Sequence, residues 1–191
     1  MRRLAGAILA LTLGLFAAAC DVAPPPTATP LPLPTDVPTP SAPMQQYVGD
    51  GYVIDYPETW VVVTPEQAGD AVYFGPDAAR GLLGMAVHRV DASRRDPDAL
   101  LDAYRDRILA TVPDASYSDD RMDAPNGGRS DYYQDWRAEP RLQYQVTFYV
   151  GDEATYRVEQ WSPVRDWDRL WVVLFEAMLK GFAFTERTDA G

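Results

Sequence analysis

The sequence predicts an α+β domain: a mostly antiparallel sheet with two main helices. Three observations carry this. Short runs of alternating apolar residues recur from Tyr52 to Trp161, with turn residues between them. Two helix-opening signals, Asp96-Pro97 and Ser162-Pro163, sit among and after those runs. Leu82 to Val90 is apolar on both faces, which suits a strand inside a sheet covered on both sides.

The elements follow in order. Tyr52, Ile54 and Tyr56 alternate with Val53 and Asp55, a half-buried strand stopped by Pro57. Trp60 to Thr64 and Ala71 to Gly75 give two more strands, and 82–90 gives the fourth. Asp96 then caps a helix whose first turn accepts Pro97, with Leu100, Leu101, Tyr104 and Ile108 as its buried stripe. A strand over 115–122 runs towards Asn126-Gly127, the strongest short hairpin signal in the chain. Strands over 129–137, 142–150 and 154–161 complete a meander. Ser162 and Pro163 open the last helix, which buries Val164, Trp167, Trp171, Leu174, Phe175 and Met178 and closes at Lys180-Gly181. Phe182-Ala183-Phe184 is expected to return to the sheet.

The N-terminus carries a different signal. Met1-Arg2-Arg3 precedes the apolar run Leu4 to Phe16 and then Ala17-Ala18-Ala19-Cys20, the layout of a secretory signal with a small-residue cleavage site. Cys20 is the only cysteine, and the segment resembles the lipobox of bacterial lipoproteins, in which that thiol is acylated. The rivals are an uncleaved anchor and plain secretion after Ala19, which would expose an unpaired thiol in an oxidising compartment. The expected location is the cell membrane, lipid-anchored on the extracytoplasmic side.

From Asp21 to Pro43 lie nine of the 17 prolines, spaced by Thr, Ala and Leu. Such a tract prefers extended polyproline II and acts as a spacer. The expected organisation is a signal at 1–19, the lipidated cysteine and linker at 20–45, and one globular domain at 46–188. A formal net charge of −11, more negative once Arg2 and Arg3 are removed, excludes nucleic acid and adsorption to anionic lipid. A monomer is expected.

Gly51-Tyr52-Val53-Ile54-Asp55-Tyr56-Pro57-Glu58-Thr59-Trp60 resembles the G-F-x-x-x-Y-P-x-x-W opening of PsbP-like and Mog1-like domains. Gly181-Phe182 matches the small residue and Phe that end their last helix. The resemblance implies an α/β/α sandwich and a non-enzymatic accessory or binding role. Its best-known members assist photosystem II, and another binds a small GTPase. Metal ligation in the photosynthetic branch relies on histidines; this chain has one, so that property is not carried over.

Catalytic patterns are sparse. His88 falls on a strand face with Gly84, Ala86 and Val90 and reads as a core or edge histidine. No Gly-x-Ser-x-Gly elbow occurs. Arg121 breaks the ligand spacing of the acidic run Asp119-Asp120-Arg121-Met122-Asp123, and Gly81 to Gly84 lacks the lysine of a phosphate loop. No metal and no cofactor is expected. The best binding hint is the crowd of aromatics in the meander: Tyr132, Tyr133, Trp136, Tyr144, Tyr149, Tyr156 and Trp161. Tyr133, Tyr149 and Trp161, beside Arg137, Arg141 and Arg157, form the expected binding surface; cross-strand ladders that only stabilise the sheet are the alternative. The reading is a lipid-anchored accessory protein that engages an envelope or membrane protein complex. An extracytoplasmic hydrolase or carbohydrate-active protein, or a small-ligand capture protein, stays open beside it.

Overall fold

Gly51 has φ +82°, a left-handed value that favours glycine, and it turns β1 (Met44–Val48) back onto β2 (Tyr52–Pro57). The computed structural model describes residues 43–68, 71–90 and 95–185, so the expected signal, Cys20 and nearly all of the linker lie outside the described residues. β11 (Ala183–Phe184) pairs with β2 as expected of the hydrophobic tail, completing a three-stranded sheet in the order β1-β2-β11.

The second sheet has eight strands. β3 (Val61–Val63), β4 (Ala71–Gly75), β5 (Gly84–Val90), β6 (Ala115–Tyr117), β7 (Met122–Asp123), β8 (Arg129–Asp135), β9 (Leu142–Val150) and β10 (Thr155–Pro163) pair in the order β3-β4-β5-β10-β9-β8-β6, with β7 also on β8. All these pairings are antiparallel. A single strand over 115–122 is thus two short ones, because Arg121 turns into Asp98, Asp102 and Asp131 instead of staying in the ladder. Asn126 (φ 59°) and Gly127 (φ 77°) form the expected tight turn between β7 and β8.

The eight-stranded sheet is covered on both sides. A short helix, α1 (Pro65–Ala68), links β3 to β4. α2 (Pro97–Thr111) begins where Asp96 accepts from the Asp98 amide, and it packs Leu100, Leu101 and Tyr104 against Tyr133, Val146 and Phe148. On the other face, Val72, Phe74, Met85, Val87, Tyr149, Tyr156 and Val158 meet β2 and the C-terminal helix. Each such side chain, fully buried, contributes about 1.5–3 kcal/mol of hydrophobic stabilisation. The result is an α/β/α sandwich with two main helices.

The C-terminal helix departs from the regular one expected. Ser162 and Pro163 end β10, so the helix starts one residue later than expected, at Val164, with Pro163 at the N-cap position and no side-chain cap bond. It begins as a 3₁₀ turn (Val164–Asp166), becomes α-helical at Trp167–Leu170, widens to a π-turn at Trp171–Phe175 and ends α-helical at Glu176–Lys180. The buried stripe includes Leu170 and Leu179, and Trp171, the first residue of the π-turn, is only partly buried. Gln160 on β10 donates to the Phe175 carbonyl at 3.1 Å, giving a buried polar tie at that turn. Gly181 has φ −81° and so is not left-handed; the Asp55 side chain lies where a Cβ would stand.

Candidate functional site

The expected aromatic surface does not reach solvent. Tyr133 lies in the core beneath α2, Tyr149 in the core beneath the C-terminal helix, and Trp161 in a third cluster with Tyr73 and Ala86. Alternation does send the rings to opposite faces, but both faces are covered, so each ends in packing. Tyr133 and Tyr144 are directly opposed on β8 and β9 and stack at 4.6 Å, the cross-strand ladder of the alternative reading. Arg157 is drawn inward as well, its Nε 2.7 Å from Glu159 Oε1.

Of the expected arginines, Arg141 does meet an exposed aromatic, which is Trp136. This ring, 50% exposed in the β8–β9 connection, donates from Nε1 to Ser116 Oγ at 2.7 Å. The Arg141 guanidinium lies 4.4 Å from its centre, and Arg137 pairs with Asp114. Trp136 was among the aromatics read from the sequence, but its place one residue past the end of a strand frees it from the face-covering that buried the others.

Glu159 carries the other site, and the sequence reading did not single it out. Cross-strand register places it on the α2 face of β10, opposite Ala86 of β5 and Val146 of β9. It is 5% exposed. Its Oε1 accepts from the Tyr104 hydroxyl at 3.1 Å and faces Arg157; its Oε2 lies 3.4 Å from Arg80 and 3.9 Å from His88 Nε2. Burial alone would raise the carboxyl pKa, but the charges of Arg157 and Arg80, with the Tyr104 hydrogen bond, outweigh it and hold it below the usual range. Glu159 is therefore ionised at neutral pH, and it is tied on Oε1.

His88 and Tyr104 are shifted away from ready proton transfer. Burial pushes His88 down to about 4, against the pull of Glu159 and with the help of Arg157, Arg80 and Arg107. It is neutral at pH 7 and cannot serve there as a general acid. Burial, aided by the Glu159 charge, pushes the Tyr104 phenol up, so it too keeps its proton. The group is suited to holding charge in place. A clue was present in the sequence: a carboxylate flanked by Val158 and Gln160 in a strand with an arginine two residues earlier on the same face.

The acidic run also finds structural partners: Arg121 pairs with Asp98 and Asp102, and Asp123 with Arg129. No group of three or more metal-ligating side chains occurs among the described residues.

The element order and the two covered faces define a PsbP-like fold. The solution structure of cyanobacterial PsbP (CyanoP) from Synechocystis sp. PCC 6803 superposes with a TM-score of 0.56 at 16% identity, over 75% of this chain and 94% of that one. No protein-family model matches the chain, and no curated protein matches its sequence.

Proposed function

We propose that this protein is a lipid-anchored, extracytoplasmic accessory module that docks onto a membrane or envelope protein complex and carries out no catalysis. The observation that carries the reading is the exposed Trp136, fixed by Ser116 and covered on one side by Arg141. A rigid aromatic beside arginine is the composition that dominates protein-binding hot spots. The PsbP-like fold supports an accessory role, and Cys20 with the proline-rich tract supplies anchor and reach: 23 residues from Asp21 to Pro43, at about 3.1 Å each in polyproline II.

In-cell cross-linking and pull-down of the full-length protein tests this, with Trp136→Ala/Arg141→Ala and Cys20→Ser variants. The expected result is one dominant membrane or envelope partner for the wild type, lost from the double variant. Cys20→Ser is expected to leave the membrane fraction. A folded wild-type protein that enriches no partner overturns the docking reading.

A further inference from the structure

We propose that the aromatic and carboxylate cage formed by Trp161, Tyr73 and Glu159 is a binding site for a guanidinium group, and that Arg80 is its displaceable resting occupant. This inference stands apart from the Trp136 surface and from the accessory role. Arg80 sits in the connection between β4 and β5, and its guanidinium lies 4.3 Å from the Trp161 ring centre. Tyr73 stacks beside that ring at 5.9 Å, and Glu159 Oε2 supplies the counter-charge at 3.4 Å. Flat cation, aromatic face and buried carboxylate are the elements by which guanidinium and ammonium groups are recognised.

Three features separate this site from an ordinary structural ion pair. First, the cage does not depend on Arg80 for its shape. Trp161 Nε1 donates to the Gly81 carbonyl at 2.9 Å and the Tyr73 hydroxyl donates to the Ala79 carbonyl at 2.8 Å. The backbone on either side of Arg80 is therefore pinned while its side chain remains 56% exposed. Second, Gly84 lies opposite Trp161 in the sheet, and a Cβ there would come within 2.8 Å of both Trp161 and Tyr73, so the absence of a side chain leaves room for the two rings. Third, Arg80 holds the weaker of the two carboxylate oxygens. Oε1 has Tyr104 at 3.1 Å and Arg157 at 2.7 Å, whereas Oε2 has Arg80 at 3.4 Å and His88 at 3.9 Å.

A side chain that can swing into solvent, over a cage held by other bonds, can be replaced by a second guanidinium without unfolding anything. Such an occupant lowers the apparent affinity for an outside ligand by the fraction of time the cage is open. Removing it should tighten binding about tenfold.

The test is calorimetric titration of the full-length protein in detergent with ethylguanidinium, with ethylurea as the neutral analogue of like shape. Arg80→Ala is expected to bind ethylguanidinium at least about tenfold more tightly than the wild type, to ignore ethylurea, and to lose binding when Glu159→Gln is added. Should that double variant fail to fold, Trp161→Phe in the Arg80→Ala background serves instead and is expected to weaken binding several-fold. A capped Gly-Arg-Gly peptide separates the sources. Tighter binding than ethylguanidinium assigns the site to an arginine presented by a protein, and weaker binding assigns it to a free small cation; either upholds the site. Equal affinity in wild type and Arg80→Ala, equal binding of ethylurea, or no binding by a folded Arg80→Ala protein overturns it.

Discussion

Tyr104 and Glu159, 55 residues apart in the chain, are joined by a buried hydrogen bond of 3.1 Å that ties α2 to the inner strand β10. The bond matters because Glu159 also neutralises Arg157, whose guanidinium lies over the Tyr104 ring at 5.1 Å. Aromatic, carboxylate and arginine thus stand or fall together. Removing the carboxylate leaves Arg157 largely buried and without its counter-charge. Glu159→Ala is expected to cost about 3–5 kcal/mol, and Tyr104→Phe about 1 kcal/mol, both read from urea unfolding. A loss under about 1 kcal/mol for Glu159→Ala would mean that Arg157 finds water in the folded protein.

Asn126 performs two tasks at one position. Its backbone takes the left-handed conformation of the β7–β8 turn, and its side-chain amide donates to the Lys180 carbonyl at 2.9 Å and the Phe182 carbonyl at 2.7 Å. It therefore helps close the C-terminal helix from across the fold, where Gly181 does not adopt the left-handed cap. Asn126→Gly keeps the turn and loses the bonds, for an expected cost of about 1–2 kcal/mol. Asn126→Ala adds left-handed strain of about 1–2 kcal/mol more. Equal stability of the two variants would show that the turn conformation contributes nothing.

Local chemistry made most of this fold legible. Asp96-Pro97, Asn126-Gly127 and the alternation over 142–150 each fix an element through neighbours in sequence, and each is found where expected. The covering of faces is not local. The sequence reading groups Tyr133 with Tyr149 on one surface, but the register puts them on opposite faces, and both are covered, by α2 and by the C-terminal helix, which pack from far along the chain. The apolar run over 82–90 implies a sheet covered on both sides, and such a sheet leaves no solvent-facing aromatic row at its centre. Glu159 was legible only through Arg157, two residues away on the same strand face; Tyr104, His88 and Arg80, which complete the site, come from far along the chain. The π-turn depends on register along a helix that has no breaking residue to announce it.

Trp60 and Trp171 both pack on the core that joins β2 to the C-terminal helix, yet the structure separates them. Trp60 is 4% exposed within the core that joins β2 to the C-terminal helix, whereas Trp171 only packs against that core from its edge. Trp60→Ala is expected to cost about 3–5 kcal/mol and Trp171→Ala about half of that or less. Trp60 Nε1 makes no hydrogen bond in the structure, so Trp60→Phe should retain most of the stability. Chemical denaturation of the three variants tests the ranking, and a Trp171→Ala protein as unstable as Trp60→Ala would contradict it.

His88 gives the domain a pH dependence that can be assigned to one residue, because no other histidine exists in the chain. In the folded protein burial pushes its pKa from 6.5 down to about 4, Glu159 opposing and Arg157, Arg80 and Arg107 reinforcing. The unfolded chain therefore takes up a proton as pH falls below about 6.5, while the folded protein stays unprotonated until about 4. The stability contribution is present above the unfolded value and is lost across that window as the solution becomes more acidic. Between pH 7 and pH 5, where most carboxylates are still ionised, the loss is expected to be about 2 kcal/mol. Urea unfolding at the two pH values measures it, and His88→Gln should remove most of the difference. A wild-type protein equally stable at pH 5 and pH 7 would show that the imidazole is protonated as readily folded as unfolded, with Glu159 as its counter-ion.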